Sequence, residues 1–216
     1  MDMNTNKEHW EKIYSTKQPN EVSWTQDIPT TSLQFIHEFD VPKSAHIIDI
    51  GGGDSKLVDF LLDEGYENIS VLDISEASLT RAKQRLGDKA NKVNWIVSDI
   101  NEFHPTESYD VWHDRAAFHF LTTDTEVKTY LNNARQAVHE NGFVTIGTFS
   151  ENGPKKCSGL DIKQYSESTL TSELANGFEK LKCITEDHTT PFNTSQNFLF
   201  CSFKRTESNT QFLKTQ

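Results

Sequence analysis

Seven acidic and basic side chains and a glycine turn are the residues whose types and spacing can do chemistry. The stretch Asp49-Ile50-Gly51-Gly52-Gly53-Asp54-Ser55 sits where a short apolar run gives way to helical spacing. Glycines there let the backbone pass close to a ligand and adopt φ values denied to other residues. A helix N-terminus after such a turn offers unpaired N–H groups to a polar ligand. Asp73 follows a second apolar run, at a position suited to the two hydroxyls of a ribose. Asp99 follows a third run, Trp95-Ile96-Val97-Ser98. Taken singly, each acid reads as a helix cap or a solvated loop residue; at three successive strand ends they read as a site. Further on, His113, Asp114, Arg115 and His119 bring ionisable groups together. His119 can accept a proton from a hydroxyl, amine or thiol near neutrality. Arg115 can clamp a carboxylate through two parallel bonds. The bland alternative pairs Asp114 with Arg115 and packs His119 under Phe120.

These residues need a frame, and the chain supplies one. Runs at His46–Ile50, Ile69–Asp73, Val93–Val97, Tyr109–His113 and Phe143–Phe149 read as strands. Between them, Leu57, Val58, Leu61 and Leu62 recur at helical spacing before Gly65, and Ser75 caps a stripe of Leu79, Ala82 and Leu86. Thr123-Asp124-Thr125-Glu126 fits a capping box ahead of Val127, Tyr130, Leu131, Ala134 and Val138, with Asn141-Gly142 closing that helix. After a helix near Ser168–Ala175, Phe178–Glu186 and Asn197–Lys204 should pair as an antiparallel hairpin across a loop holding Pro191. The alternation implies an α/β fold, a Rossmann-like doubly wound sheet of seven strands with helices on both faces, mostly parallel with that C-terminal hairpin. Residues 1–43 read as a helical arm, with helices near Lys7–Ser15 and Thr31–Phe39. Residues 44–205 read as the main domain and 206–216 as a polar mobile tail.

Composition narrows the function. The chain has 216 residues, 32 acidic against 21 basic and a net charge of −11, which disfavours a nucleic-acid partner because phosphate neutralisation dominates such binding. No window is long and apolar enough to span a membrane, and the opening residues are unlike a secretory signal; a cytoplasmic setting is expected. Cys157, Cys183 and Cys201 form neither a disulfide framework nor a zinc pattern, so they are expected to be reduced and no metal site is expected. Cys157, flanked by lysines, reads either as a reactive thiol or as a small loop residue.

The motifs Asp49–Ser55, Val71-Leu72-Asp73-Ile74-Ser75 and Ser98-Asp99-Ile100, with the terminal hairpin, resemble those of class I S-adenosylmethionine-dependent methyltransferases. Ser55 departs from the family pattern, where the last glycine of D-x-G-x-G-x-G stands. The resemblance implies S-adenosylmethionine as cofactor and S-adenosylhomocysteine as product. It implies that Asp49 approaches the methionine amino group and that the backbone at Gly51 and Gly53 runs along the methionine part. Asp73 would take the ribose hydroxyls, Ile74 would pack on adenine, and Asp99 with Ile100 would bind the adenine edge. Asp114 and Trp24 are assigned to the cofactor as well, with Trp10, Tyr14 and Trp24 either closing over it or packing the arm. His119, Arg115 and His113 are the catalytic candidates, and a small molecule is the expected acceptor, with a protein left open. Two rivals stand beside this reading. A nicotinamide-dependent oxidoreductase is disfavoured by Lys56 where G-x-G-x-x-G needs its third glycine. A non-catalytic S-adenosylmethionine-binding module would keep the three acids without an acceptor pocket.

Overall fold

A computed structural model describes residues 3–206, and the tail expected to be mobile lies outside the described residues apart from its first residue. The arm forms α1 (Met3–Thr16) and α2 (Thr30–Glu38). Then β1 (His46–Ile50), α3 (Leu57–Asp63), β2 (Asn68–Asp73), α4 (Glu76–Leu86), β3 (Val93–Val97) and β4 (Tyr109–Arg115) alternate as the pattern requires. They are followed by α5 (Asp124–Ala137), β5 (Val138–Phe149), a small hairpin β6 (Lys156–Cys157) and β7 (Leu160–Asp161), α6 (Glu167–Leu174), β8 (Phe178–Thr189) and β9 (Ser195–Arg205). Among the described residues the main sheet has seven strands in the order β3-β2-β1-β4-β5-β9-β8. The first five run parallel, β9 lies antiparallel to β5, and β8 antiparallel to β9. No described helix is long and apolar enough to cross a membrane.

Parallel strands buried on both faces need apolar side chains on both, and β1 shows it. Ile47 packs with Val71 and Val111 against α2, α3 and α4, whereas Ile48 and Ile50 pack with Leu72 and Trp112 against α5 and α6. This parity places every later side chain. Asp49, Asp73, His113 and Arg115 fall on the α2–α4 face; Asp114 falls on the other.

The helix ends follow local chemistry. Ser75 accepts from the Ser78 amide at 3.2 Å, and Thr123 with Glu126 closes the expected capping box. Two expectations fail. The helix before β5 stops at Ala137, not at Asn141-Gly142, because residues 138–142 join the strand as a bulge. Tyr109 pairs with Val138 and Val111 with Phe143, and Asn141 takes φ 66° to absorb the extra chain. The cysteines also differ from expectation: Cys183 and Cys201 are directly opposed on β8 and β9 and joined as a disulfide. A side chain buried in a strand looks the same in sequence whether it packs or bonds its cross-strand neighbour.

On the α5 face, Trp112 Nε1 donates to Tyr130 Oη at 2.8 Å, and that hydroxyl donates to Asp114 Oδ2 at 2.9 Å. All three are buried. Tyr130→Phe strands a buried carboxylate oxygen and a buried indole N–H, so it should lower stability by about 1–3 kcal/mol. Chemical denaturation would measure this, and an unchanged midpoint would remove the relay from the account of the core.

Candidate active site

The ends of β1 to β5 open into one cleft, and the turn after β1 shows how tightly it is drawn. Gly51 has φ 63°, and a Cβ there would stand 2.5 Å from Ala117 Cβ. A Cβ on Gly52 would stand 2.7 Å from both Asp49 Oδ2 and Val71 Cγ1. Gly53, at φ 51°, would meet Tyr14 Oη at 2.8 Å and Asp73 Oδ2 at 3.2 Å. The backbone thus lies against two carboxylates and a phenol, which no side chain at these positions would permit.

Each acid is held by its own neighbours. Asp49 is opposite His113 in the β1–β4 register, and Asp49 Oδ1 lies 2.7 Å from His113 Nδ1; both residues are buried, and both line a pocket adjoining the cleft. Asp73 Oδ1 accepts from the Ser75 amide at 2.8 Å. With Asp73 only 5% exposed, burial pushes its carboxyl up to about 7, with repulsion from Asp49 and Asp54 adding to the shift. Asp99 Oδ1 accepts from the Asn101 amide at 2.8 Å. Asp73, Ile74, Asp99 and Ile100 share one wall of the cleft, with Gly51 at its floor.

The arm roofs this space. Trp10 lies 5.6 Å from Trp24 and 5.0 Å from Phe120, edge to face, with Tyr14 beside them; all four line the cleft. Two contacts that sequence reading missed fix α1 in place. Glu11 accepts from the Ser75 hydroxyl at 2.8 Å and the Ala77 amide at 3.2 Å, seating a carboxylate on the N-terminus of α4, where the helix dipole favours it. His9 Nε2 lies 3.2 Å from the Ser158 hydroxyl in the β6–β7 turn. The only signal in the sequence was that Glu11 adjoins Trp10 on the arm.

The cluster at 113–119 divides. Asp114 accepts from the amides of Ala117 and Phe118 at 3.2 and 3.1 Å besides Tyr130; it ties the turn after β4 on the far face of the sheet and is not among the cleft residues. Burial pushes it up to about 6. Arg115 does not pair with it: Nη1 donates to the Trp24 carbonyl at 2.9 Å. His119 is wholly buried, stacked on Phe149 with ring centroids 4.2 Å apart and planes 7° apart. Burial, reinforced by the Arg115 charge, draws it down to about 3, and neither ring nitrogen meets a partner among the described residues. Cys157 is a buried free thiol in the cleft wall that burial pushes up to about 11.

A doubly wound sheet with an antiparallel strand inserted beside its fifth, and with acids closing β1 and β2 around a glycine turn, defines a nucleoside-binding Rossmann-like protein. The family model described as a methyltransferase domain matches residues 48–144. The eEF1A lysine and N-terminal methyltransferase of Bos taurus is 26% identical over 126 residues, 56% of this chain and 17% of the relative. Malonyl-(acyl-carrier protein) O-methyltransferase 1 of Ilyobacter polytropus is 29% identical over 147 residues, 67% of this chain and 51% of the relative. The chain therefore spans between about a sixth and a half of these curated relatives. In three dimensions it is similar to the 1,6-didemethyltoxoflavin-N1-methyltransferase of Burkholderia thailandensis, solved with bound 1,6-didemethyltoxoflavin and S-adenosylhomocysteine. That likeness has TM-score 0.67 and 17% identity over 95% of this chain and 86% of the other. What the chain shares with these proteins is a methyltransferase domain, matched over residues 48–144.

The raised Asp73 carboxyl makes a testable difference. A ribose hydroxyl donates best to an ionised acid, so a ribose bound at Asp73 would expel the proton that the buried group holds below about pH 7. Adenosine, with no group of its own titrating there, should bind more tightly as pH rises from about 6 to about 8 and then level off. Calorimetry on the parent and on Asp73→Asn should show the slope only in the parent; a slope in both would assign it elsewhere.

Proposed function

We propose that the cleft binds S-adenosylmethionine and that the protein transfers its methyl group to a small-molecule acceptor. The observation that carries this reading is the convergence of Asp73, Asp99 and Gly51 on one cleft, beside the Asp49–His113 pair. The residues fit the cofactor. A carboxylate at the end of β2 suits ribose hydroxyls, and Ile74 and Ile100 offer apolar faces to a purine. Gly51, whose Cβ space is taken by Ala117, brings its backbone to the cleft, and Asp49 suits an ammonium. When bound, the cofactor supplies an electrophilic methyl carbon on a sulfonium.

What this chain's residues contribute is alignment and exclusion of water. His113 holds Asp49 by its Nδ1, and Gly52 leaves room for the other Asp49 oxygen. Trp10, Tyr14 and Trp24 roof the cleft with aromatic faces, to which a sulfonium is attracted. No general base is assigned. His119 stays neutral over the working range because burial holds it near 3, and the cleft wall is made by its neighbours Phe120 and Phe149. Orientation of nucleophile and methyl carbon inside a dry site supplies much of the barrier reduction for such a displacement. The closed roof, together with the net charge of −11, favours a small acceptor over a polymer.

Thermal melting with added ligand tests the reading. S-adenosylmethionine and S-adenosylhomocysteine at about a hundred times their dissociation constants should raise the midpoint by about 5–10 °C. Nicotinamide dinucleotides should leave it in place. Stabilisation by a dinucleotide and not by S-adenosylhomocysteine would replace the proposal with an oxidoreductase.

A further inference from the structure

Arg115 is a charged side chain of the cleft whose bonding is incomplete. Nη1 donates to the Trp24 carbonyl at 2.9 Å, while Nε and Nη2 are closed off from solvent and meet no partner among the described residues. Two carboxylates act on the guanidinium from a distance, Glu186 and Asp49, and both are engaged elsewhere. Glu186 accepts from the Thr31 hydroxyl, and Asp49 holds His113. A guanidinium drawn out of water with a single neutral acceptor is costly unless an anion completes its shell. Nε and Nη2 form the side-on edge of the group, the edge that takes both oxygens of a carboxylate at once.

The strand order says which half of the cleft that edge serves. Asp73 and Asp99 follow β2 and β3, on one side of β4; the guanidinium carbon lies 4.9 Å over the ring of Phe198, on β9, two strands away on the other side. The register partner of Arg115 on β5 is Gly147, and the ring of Phe200 fills the space beside that glycine, so the guanidinium reaches Phe198 along an aromatic surface. Trp24, Phe120 and Phe149 line the cleft with Arg115. We infer that Arg115 receives a carboxylate carried by the methyl acceptor, whose flat apolar body lies among Trp24, Phe120 and Phe149. The inference rests on the cleft being the S-adenosylmethionine site and adds the class of acceptor.

The test uses the full chain saturated with S-adenosylhomocysteine and three matched probe pairs: benzoate and benzamide, phenylacetate and phenylacetamide, indole-3-acetate and indole-3-acetamide. Titration followed by NMR should show at least one carboxylate binding about tenfold or more tightly than its amide. Arg115→Gln should abolish that preference, and Arg115→Lys should keep part of it, while affinity for S-adenosylhomocysteine stays the same in both. Lysine retains the charge without the fork, so it also serves if the glutamine variant does not fold. Absence of any carboxylate preference in the parent protein overturns the inference. So does a variant that loses S-adenosylhomocysteine but keeps 5′-methylthioadenosine, since that result puts the guanidinium on the cofactor's own carboxylate. Failure of the parent to bind S-adenosylhomocysteine at all is seen before any probe is added, and it counts against the underlying function instead.

Discussion

Burying carboxylates at the ends of parallel strands is the constraint on which the rest of this structure depends. Asp49, Asp73 and Asp114 are 4%, 5% and 0% exposed, and an ionised carboxylate taken from water without compensation is among the costliest groups a fold can hold. Each is compensated differently: an imidazole across a strand pair for Asp49, a backbone amide for Asp73, two amides and a phenol for Asp114. The first two stand on the α2–α4 face, Asp73 in the cleft wall and Asp49 in the adjoining pocket. The third stands on the other face and binds the turn after β4 to α5. The cleft wall therefore holds in Asp73 a carboxyl whose ionised form burial disfavours, and a ligand donating hydroxyl hydrogen bonds to it would favour that form.

The same economy explains the arm. A sheet edge lined by buried acids cannot be left open to bulk water without losing the field that makes it selective. Trp10, Tyr14 and Trp24 close it, and α1 is held from two sides, by Glu11 on the N-terminus of α4 and by His9 on the β6–β7 turn. These contacts are few and polar beside the packed aromatic rings. The roof is shaped by residues far from the glycine turn in sequence.

Much of this was legible in the sequence because the signals were local and agreed with one another. β-branched runs, helix caps and the glycine turn fixed the alternating frame, and acids at strand ends marked one edge. What was not legible depended on pairing. Asn141-Gly142 reads as a helix stop, yet the register between Tyr109 and Val138 draws those residues into β5 as a bulge. Cys183 and Cys201 read as core residues until the hairpin register sets them opposite each other. Ser158 and Gly159, both at positive φ, make a tight turn between β6 and β7 that has too few residues on either side to show as strand. Once β4 is seen to run through Arg115, parity divides residues 113–115. Asp114 alternates with His113 and Arg115 along β4, so it had to face away from them.

The central claim is that Asp73 holds the ribose of S-adenosylmethionine at the end of β2. Titration calorimetry of S-adenosylhomocysteine against the parent and Asp73→Asn tests it most directly, because the amide keeps the shape and removes the charge. The account predicts a loss of about 1.5–3 kcal/mol, roughly ten- to a hundredfold in affinity, in a variant that melts no lower than the parent without ligand. Equal affinity in a folded Asp73→Asn protein would contradict it.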